Sequence, residues 1–183
     1  MYLANNTRPD ICFAVSLLAR FSSCPTRRHW KGVKHIFRYL QGTIDMGLLY
    51  SNASKSELIG YADAGYLSDP HKARSQTGYL FTYGGTAISW RSMKQIIVAT
   101  SSNHAEIIAI HEASRECIWL RSMTQHILQL CGLSVQTKTP TILYEDNICS
   151  SDNLANLFTK ALPTSTFEKL RYKIGMCRLQ DIK

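Results

Sequence analysis

The fold is decided by the stretch TGYLFTYGGTAISW, residues Thr77–Trp90. Two runs rich in β-branched and aromatic residues, Thr77–Tyr83 and Thr86–Trp90, flank Gly84 and Gly85, a pair typical of a tight hairpin turn. The pattern predicts three or more adjacent antiparallel strands. The further strand-like runs around the hairpin are Leu48–Tyr50, Glu57–Ala62 and Gln95–Thr100.

A long amphipathic helix follows these strands. Ser101–Asn103 offers N-cap oxygens, and apolar residues then recur at helical spacing to about residue 129. A strand is predicted at Thr141–Tyr144, beside the first core strand, and two shorter helices at 153–160 and 166–176. This order of elements predicts an α+β or α/β protein with a mixed sheet. The apolar stripe of the long helix consists of Ala109, Ile110, Ala113, Cys117 and Leu120.

Residues 1–42 have the pattern of a helical hairpin. Thr7 or Asp10 is expected to cap its first helix, and Gly42 ends the second. Periodicity alone leaves two interpretations of its basic face, a solvated surface or a nucleic-acid contact. That face carries Arg27, Arg28, Lys31, Lys34 and Arg38.

The composition is that of a basic globular protein. Among 183 residues, 45% are apolar and the formal net charge is +8, so a polyanionic partner is expected. No apolar stretch approaches the roughly 18 residues of a membrane helix, and no secretion signal is recognised. We therefore expect an intracellular protein, cytoplasmic or nuclear, without a membrane partner. Six cysteines without a Cys-x-x-Cys spacing predict reduced, buried thiols rather than a zinc cage or a disulfide framework.

Three acids lie where elements begin or end. Asp63 ends the first core strand, Glu106 lies one turn into the long helix on its apolar stripe, and Asp146 follows the Thr141–Tyr144 strand. Clustered carboxylates are the hard oxygen ligands that divalent ions need for phosphodiester hydrolysis. Spacing alone does not distinguish such a site from three unrelated structural acids.

Longer motifs identify the family that this sequence resembles. They closely resemble the ribonuclease H domain of copia-type (Ty1-like) LTR retrotransposon polyproteins. Segments at Thr7–Ile11, His29–Trp30 and Arg38–Thr43 are similar to the end of the reverse transcriptase region of the same polyproteins. The ribonuclease H motifs are Tyr61–Ala64, Arg74–Tyr79, Ile88–Gln95, Ala99–Glu106, Tyr144–Asn147 and Asp152–Pro163.

The resemblance implies a domain organisation and a fold. Residues 1–50 would be a remnant of the reverse transcriptase C-terminus, and residues 51–183 a ribonuclease H-like domain. The implied class is α+β, an incomplete ribonuclease H-like mixed sheet with flanking helices, preceded by the helical hairpin. The sequence contains no Tyr-x-Asp-Asp polymerase motif, so DNA synthesis is not expected.

The resemblance also implies a chemistry, cleavage of the RNA strand of RNA–DNA hybrids with two Mg²⁺ or Mn²⁺ ions. Asp63, Glu106 and Asp146 would be the catalytic residues and metal ligands, with their carboxyls within about 10 Å of one another. Contacts to 2′-hydroxyls would distinguish RNA from DNA. Three cations on the flanking strands suit phosphate contacts, or are solvated surface residues: Arg74, Arg91 and Lys94.

Two departures from the family put catalysis in doubt. Asn156 occupies the position of a fourth family acid, and an amide brings no charge to a two-metal site. In the family a helix, a His- and Arg-rich stretch, another helix and a strand separate the segments that here are joined directly by Ile148–Ser151. This is an internal deletion near 148–151. A milder departure is Gly65, where the family usually has an acid.

Three functions follow from these observations. The chain is a ribonuclease H-like enzyme with impaired activity, a catalytically inactive nucleic-acid-binding relic, or a repurposed interaction or effector protein. The three acids favour the first, and Asn156 and the deletion favour the second. The lack of a secretion signal argues against an effector. We expect hybrid binding to outlast hybrid cleavage, because phosphate contacts are individually replaceable and metal ligands are not.

Overall fold

The computed structural model describes residues 1–51, 57–69, 73–132, 140–145 and 153–181. Within these ranges 3₁₀ turns occur at Pro9–Ile11, Leu154–Phe158 and Leu179–Asp181. The helices are α1 (Tyr2–Asn6), α2 (Cys12–Ala19), α3 (Arg27–Gly42), α4 (Ser102–Leu130) and α5 (Thr164–Lys173). The strands are β1 (Met46–Leu48), β2 (Leu58–Asp69), β3 (Arg74–Tyr83), β4 (Thr86–Lys94), β5 (Ile142–Glu145) and β6 (Met176–Arg178).

The central sheet is mixed, as the sequence predicts. Its strand order is β4-β3-β2-β5, with antiparallel β2–β3 and β3–β4 pairs and a parallel β2–β5 pair. Gly84 and Gly85 have φ values of 60° and 84°, so they form the predicted turn between β3 and β4. The class is therefore α+β with a mixed sheet. The predicted positions of the long helix and of the strand beside β2 are confirmed.

Both faces of the sheet are covered. Tyr79 and Phe81 of β3 point toward α4, while Leu80 points to the opposite face, as strand alternation requires. Small residues of α4 let this helix lie close to the sheet. The opposite face packs against α2 and the segment 153–178. The α4 residues buried in this way are Ala105, Ala109, Ala113 and Leu120.

The predicted strand at Gln95–Thr100 is wrong. β4 ends at Lys94, and Gln95 donates its backbone N–H to Ser75 O at 2.9 Å. Because β3 begins at Arg74, residues that follow Gln95 find almost no further β3 backbone to pair with. Ile96 and Ile97 therefore stay exposed despite their high strand propensity.

Strands β1 and β6 form a small second sheet of two strands. The predicted strand at Leu48–Tyr50 is shifted to Met46–Leu48, because these residues pair antiparallel with Met176–Arg178. That partner strand was not predicted. Trp90 donates its indole N–H to Ala4 O at 2.7 Å, which fixes α1 against β4. Residues 1–50 thus pack directly on the rest of the described structure.

The helical hairpin is formed by α2 and α3, but neither expected residue caps α2. The Asp10 carboxylate accepts hydrogen bonds from Arg8 Nη2 at 2.7 Å and from the Tyr39 hydroxyl at 2.6 Å. Arg8 also donates to Thr43 O at 3.0 Å, which ties the start of the hairpin to its end. The Asp10 side chain is therefore committed to an ion pair, and a 3₁₀ turn precedes α2 instead.

The described cysteines are free thiols, but they are not all buried. Cys12 is buried in the core, and burial raises the pKa of its thiol to about 11. Cys24 and Cys131 are exposed and Cys117 and Cys177 are half-buried, so the expectation of buried thiols is wrong at these four positions. Cys149 lies outside the described residues. No helix in the described ranges is long and apolar enough to cross a membrane.

Phe81 tests the packing of the sheet on α4. Its side chain has no exposed surface, whereas that of Phe37 on α3 is 65% exposed. Phe81→Leu should lower the free energy of unfolding by about 1–3 kcal/mol through lost core contacts. Phe37→Leu should change it by less than about 0.5 kcal/mol. Urea unfolding followed by circular dichroism measures both, and equal effects would contradict this description of the core.

Candidate functional site

Asp63 lies in the middle of β2 and not at the end of the strand as predicted, because β2 continues to Asp69. It lies opposite Gly78 of β3, and its side chain is fully buried. Its Oδ2 accepts a hydrogen bond from the Thr159 hydroxyl, and its Oδ1 lies 3.3 Å from Lys160 Nζ. A buried carboxylate needs such partners, since an unpaired buried charge is strongly destabilising. The segment that follows the 3₁₀ turn Leu154–Phe158 therefore closes over Asp63.

Two glycines let that segment reach the sheet. A Cβ atom on Gly78 would lie 2.7 Å from Phe158 Cβ and 2.6 Å from Thr159 Cγ2. A Cβ atom on Gly65 would lie 2.8 Å from the Thr159 carbonyl oxygen. Asn153 also holds this segment against the sheet, because its Nδ2 donates a hydrogen bond to Ala62 O at 3.1 Å. The close approach thus requires glycine at both strand positions.

Glu106 reaches the same region from α4. Ser101 caps this helix, because its Oγ accepts a hydrogen bond from the His104 backbone N–H at 3.1 Å, and Glu106 lies about one turn further on. Burial and the nearby Asp63 carboxylate raise the pKa of Glu106 to about 8, with a smaller contribution from Glu145. A hydrogen bond to the Ala64 backbone opposes this shift. The Asp63 carboxylate is therefore near enough to disfavour the charged form of Glu106, and the two residues form a carboxyl pair.

Asp146 lies outside the described residues, so its distance from this pair stays a prediction. The residue before it, Glu145, ends β5 and pairs with Ala62, the neighbour of Asp63. Within the described ranges no group of three or more His, Cys, Asp or Glu side chains is arranged to hold a metal ion. The described part of the site is the pair Asp63 and Glu106.

Lys160 is the residue that the sequence analysis missed. Its ammonium donates to Asn156 Oδ1 at 2.8 Å and lies next to Asp63, so it connects the amide to the carboxylate. Asn156 is itself buried in the 3₁₀ turn. The four-residue spacing of Asn156 and Lys160 is the pattern that could have indicated this pair. The site thus contains a built-in positive charge.

The three predicted phosphate-binding cations lie near one end of the sheet. Lys94 ends β4 opposite Gln76, two residues along β3 from the partner of Asp63, whereas Arg74 begins β3 opposite Asp69. Arg91 is exposed on β4 and pairs with Tyr79, where it lowers the otherwise raised pKa of the Tyr79 hydroxyl. Arg74 and Lys94 are half-buried. The role of these three cations in phosphate binding stays a prediction.

Comparison with known proteins found relatives in sequence only. The chain is 44% identical to the secreted RxLR effector protein 161 of Plasmopara viticola, over 68% of this chain and 88% of that protein. It is 35% identical to the retrovirus-related Pol polyprotein from transposon TNT 1-94 of Nicotiana tabacum, over 96% of this chain. The Pol polyprotein from transposon RE1 of Arabidopsis thaliana is also 35% identical, over 94% of this chain. No family model and no solved structure matches.

The lengths of these matches add two facts. This chain spans only 16% and 14% of the two Pol polyproteins. The matched stretches, 208 and 212 residues, exceed the 183 residues of this chain by 25 and 29. Both polyproteins therefore carry residues for which this chain has no counterpart, and the internal deletion stays a prediction. The predicted position of that deletion, 148–151, lies outside the described residues.

The raised pKa of Glu106 predicts a pH dependence of stability in metal-free buffer. The folded chain keeps the Glu106 proton up to about pH 8, whereas the unfolded chain releases it near the ordinary glutamate pKa of 4.5. Stability from this group is therefore complete at low pH and is lost as the pH rises through that window. Glu106→Gln cannot ionise, so its urea midpoint should fall less between about pH 5 and pH 8.

Glu112→Gln on the same helix is the matched control, because Glu112 forms its ion pair with Arg115 at 3.5 Å, away from Asp63. This variant should keep the pH dependence of the unsubstituted chain. An unchanged pH dependence in Glu106→Gln would contradict the raised pKa of Glu106 in the folded chain.

Proposed function

The chain belongs to the family of copia-type retrotransposon Pol polyproteins, and on that premise we propose that residues 51–183 are a ribonuclease H-like domain. It binds RNA–DNA hybrids, and its cleavage of the RNA strand is impaired. The carrying observation is the carboxyl pair of Asp63, which is fully buried on β2, and Glu106, which is half-buried at the start of α4. Two carboxylates held together at a cost to stability are typical of a functional site.

The carboxyl pair fits a divalent cation. Asp63 Oδ1 and Glu106 Oε2 are buried and accept no hydrogen bond from the described residues. Carboxylate oxygens are the ligands that Mg²⁺ and Mn²⁺ prefer. Asp63 and Glu106, with Asp146, would hold these ions, which when bound activate water and stabilise the leaving 3′ oxygen.

The remaining groups of the chain bind and position the substrate in this proposal. The Arg74 and Arg91 guanidinium groups and the Lys94 ammonium would bind phosphates, which set the register of a hybrid without reading its bases. The net charge of +8 adds a salt-sensitive attraction to any polynucleotide. Contacts to 2′-hydroxyls would select the RNA strand.

The described contacts also support the impairment. Asn156 contributes a neutral amide where the family has a carboxylate, and the Lys160 ammonium lies between this amide and Asp63. A positive charge beside Asp63 opposes the binding of a divalent cation there through electrostatic repulsion. The pair therefore resembles a metal site whose charge is partly neutralised by the protein itself.

A second candidate function is a repurposed interaction protein. The observation that favours it is the 44% identity to a secreted RxLR effector, of which this chain covers 88%. Such a protein would keep the fold without needing the carboxyl pair or the affinity for polynucleotides. A folded chain that binds no nucleic acid at low salt would favour this candidate over the ribonuclease.

Filter binding and a cleavage gel with a labelled RNA–DNA hybrid test the proposed function. We expect hybrid binding that weakens steeply as salt rises, because it depends on phosphate contacts. With Mg²⁺ or Mn²⁺ we expect little or no cleavage. Asn156→Asp should restore cleavage only partially, since the Lys160 ammonium and the deletion remain.

Asp63→Asn is the control, because it keeps the size of the side chain and removes its charge. It should abolish any residual cleavage while the chain still binds hybrid. Robust cleavage that depends on Mg²⁺ and on Asp63 would show that the site is not impaired. Binding that does not respond to salt would contradict the electrostatic argument.

A further inference from the structure

Helix α3 lies in a part of the chain without acidic residues. Residues 11–44 contain no Asp or Glu, although the whole chain has 13 of them. The cations on α3 are Arg27, Arg28, Lys31, Lys34 and Arg38. Across the described ranges, none of these five has a carboxylate within ion-pair distance. The helix therefore carries a positive charge that the described protein does not neutralise.

The helix is held in a defined orientation. Thr26 caps it, with Oγ1 accepting from the His29 backbone N–H at 3.5 Å, and the His29 ring stacks on Phe21 at 4.0 Å. Its half-buried side includes Val33 and Ile36, which face the rest of the protein. The opposite side is consequently presented to solvent in a fixed position.

Two aromatic side chains lie on that exposed side. Trp30 is 58% exposed and Phe37 is 65% exposed. They are seven residues apart, which places them on one flank of the helix about 10 Å apart along its axis. Between them Lys34 lies over the Trp30 ring, with Nζ 5.7 Å from the ring centroid. A row of aromatic rings therefore runs beside the row of cations.

We propose that this exposed face of α3 binds single-stranded nucleic acid. Lys31, Lys34 and Arg38 contact phosphates, and unpaired bases stack on Trp30 and Phe37. Proteins that bind single strands combine cations along the backbone with aromatic rings under the bases in this way. A duplex hides the faces of its bases, so stacking selects the single strand. This surface is distinct from the proposed hybrid site and takes a different ligand.

The arrangement of the helix favours this ligand over an anionic membrane. An interfacial helix inserts its apolar side into the lipid. In α3 the apolar side, with Val33 and Ile36, is turned toward the protein, and the exposed side carries the cations. Two rings on the flank of a cationic face suit stacking and offer little area for insertion.

Fluorescence anisotropy with labelled oligothymidylate tests the proposal on the full chain in EDTA. Trp30→Leu and Phe37→Leu should each weaken binding by roughly fivefold or more, since each removes one stacking platform. Trp119→Leu is the matched control, because Trp119 is 53% exposed on α4. It should leave the affinity unchanged. Equal affinities for all three variants and the unsubstituted chain would overturn the proposal.

A second pair of variants tests the phosphate contacts. Arg38→Gln should reduce the slope of log affinity against log salt by about 0.7, the value for one single-strand phosphate. Arg115→Gln removes the same charge from α4, where Arg115 pairs with Glu112, and should keep the slope. A slope reduced equally by both variants would show non-specific attraction and overturn the assigned surface.

Two competitors complete the test. A duplex of the same length should bind more weakly than the single strand and should respond little to Trp30→Leu. Vesicles of phosphatidylserine and phosphatidylcholine should not displace the oligothymidylate. A duplex whose affinity falls as much as that of the single strand in Trp30→Leu, or displacement by the vesicles, would overturn the proposal.

Discussion

The buried carboxylate of Asp63 is the constraint around which this structure is organised. Asp63 lies in a central strand with no exposed surface, so its charge has to be balanced from within the protein. Thr159 and Lys160 do this, and both come from a segment almost 100 residues later in the chain. The requirement brings that segment onto the sheet, and the sheet admits it only because Gly65 and Gly78 leave room.

The sheet and the long helix were predictable because their signals are local. The hairpin at Gly84–Gly85 and the apolar stripe of α4 depend on neighbours within a few residues. The false strand at Gln95–Thr100 shows the limit, since β-branched residues form a strand only where a partner strand exists. β6 was not predicted for the converse reason. Its three residues become a strand only because they pair with β1.

The same distinction applies to the candidate site. Asp63 and Glu106 were selected from motif resemblance and from their predicted places at a strand end and on a helical stripe. Asp63 lies in mid-strand instead, and its carboxylate contributes to the raised pKa of Glu106. Lys160 could not be assigned from the sequence, because its contact with Asp63 spans 97 positions. From the sequence, Gly65 is the loss of a family acid. In the structure a Cβ atom at this position would lie 2.8 Å from the Thr159 carbonyl oxygen, so a side chain would collide there.

The pairing of β1 with β6 has a consequence for synthesis on the ribosome. Leu48 pairs with Met176, so 128 positions of chain must be made before β1 gains its partner. Throughout that interval the backbone N–H and C=O groups of β1 are open to other strands. Contacts of such long sequence separation also form late, because loop closure precedes them. The nascent chain is therefore exposed to mispairing of β1 until β6 emerges.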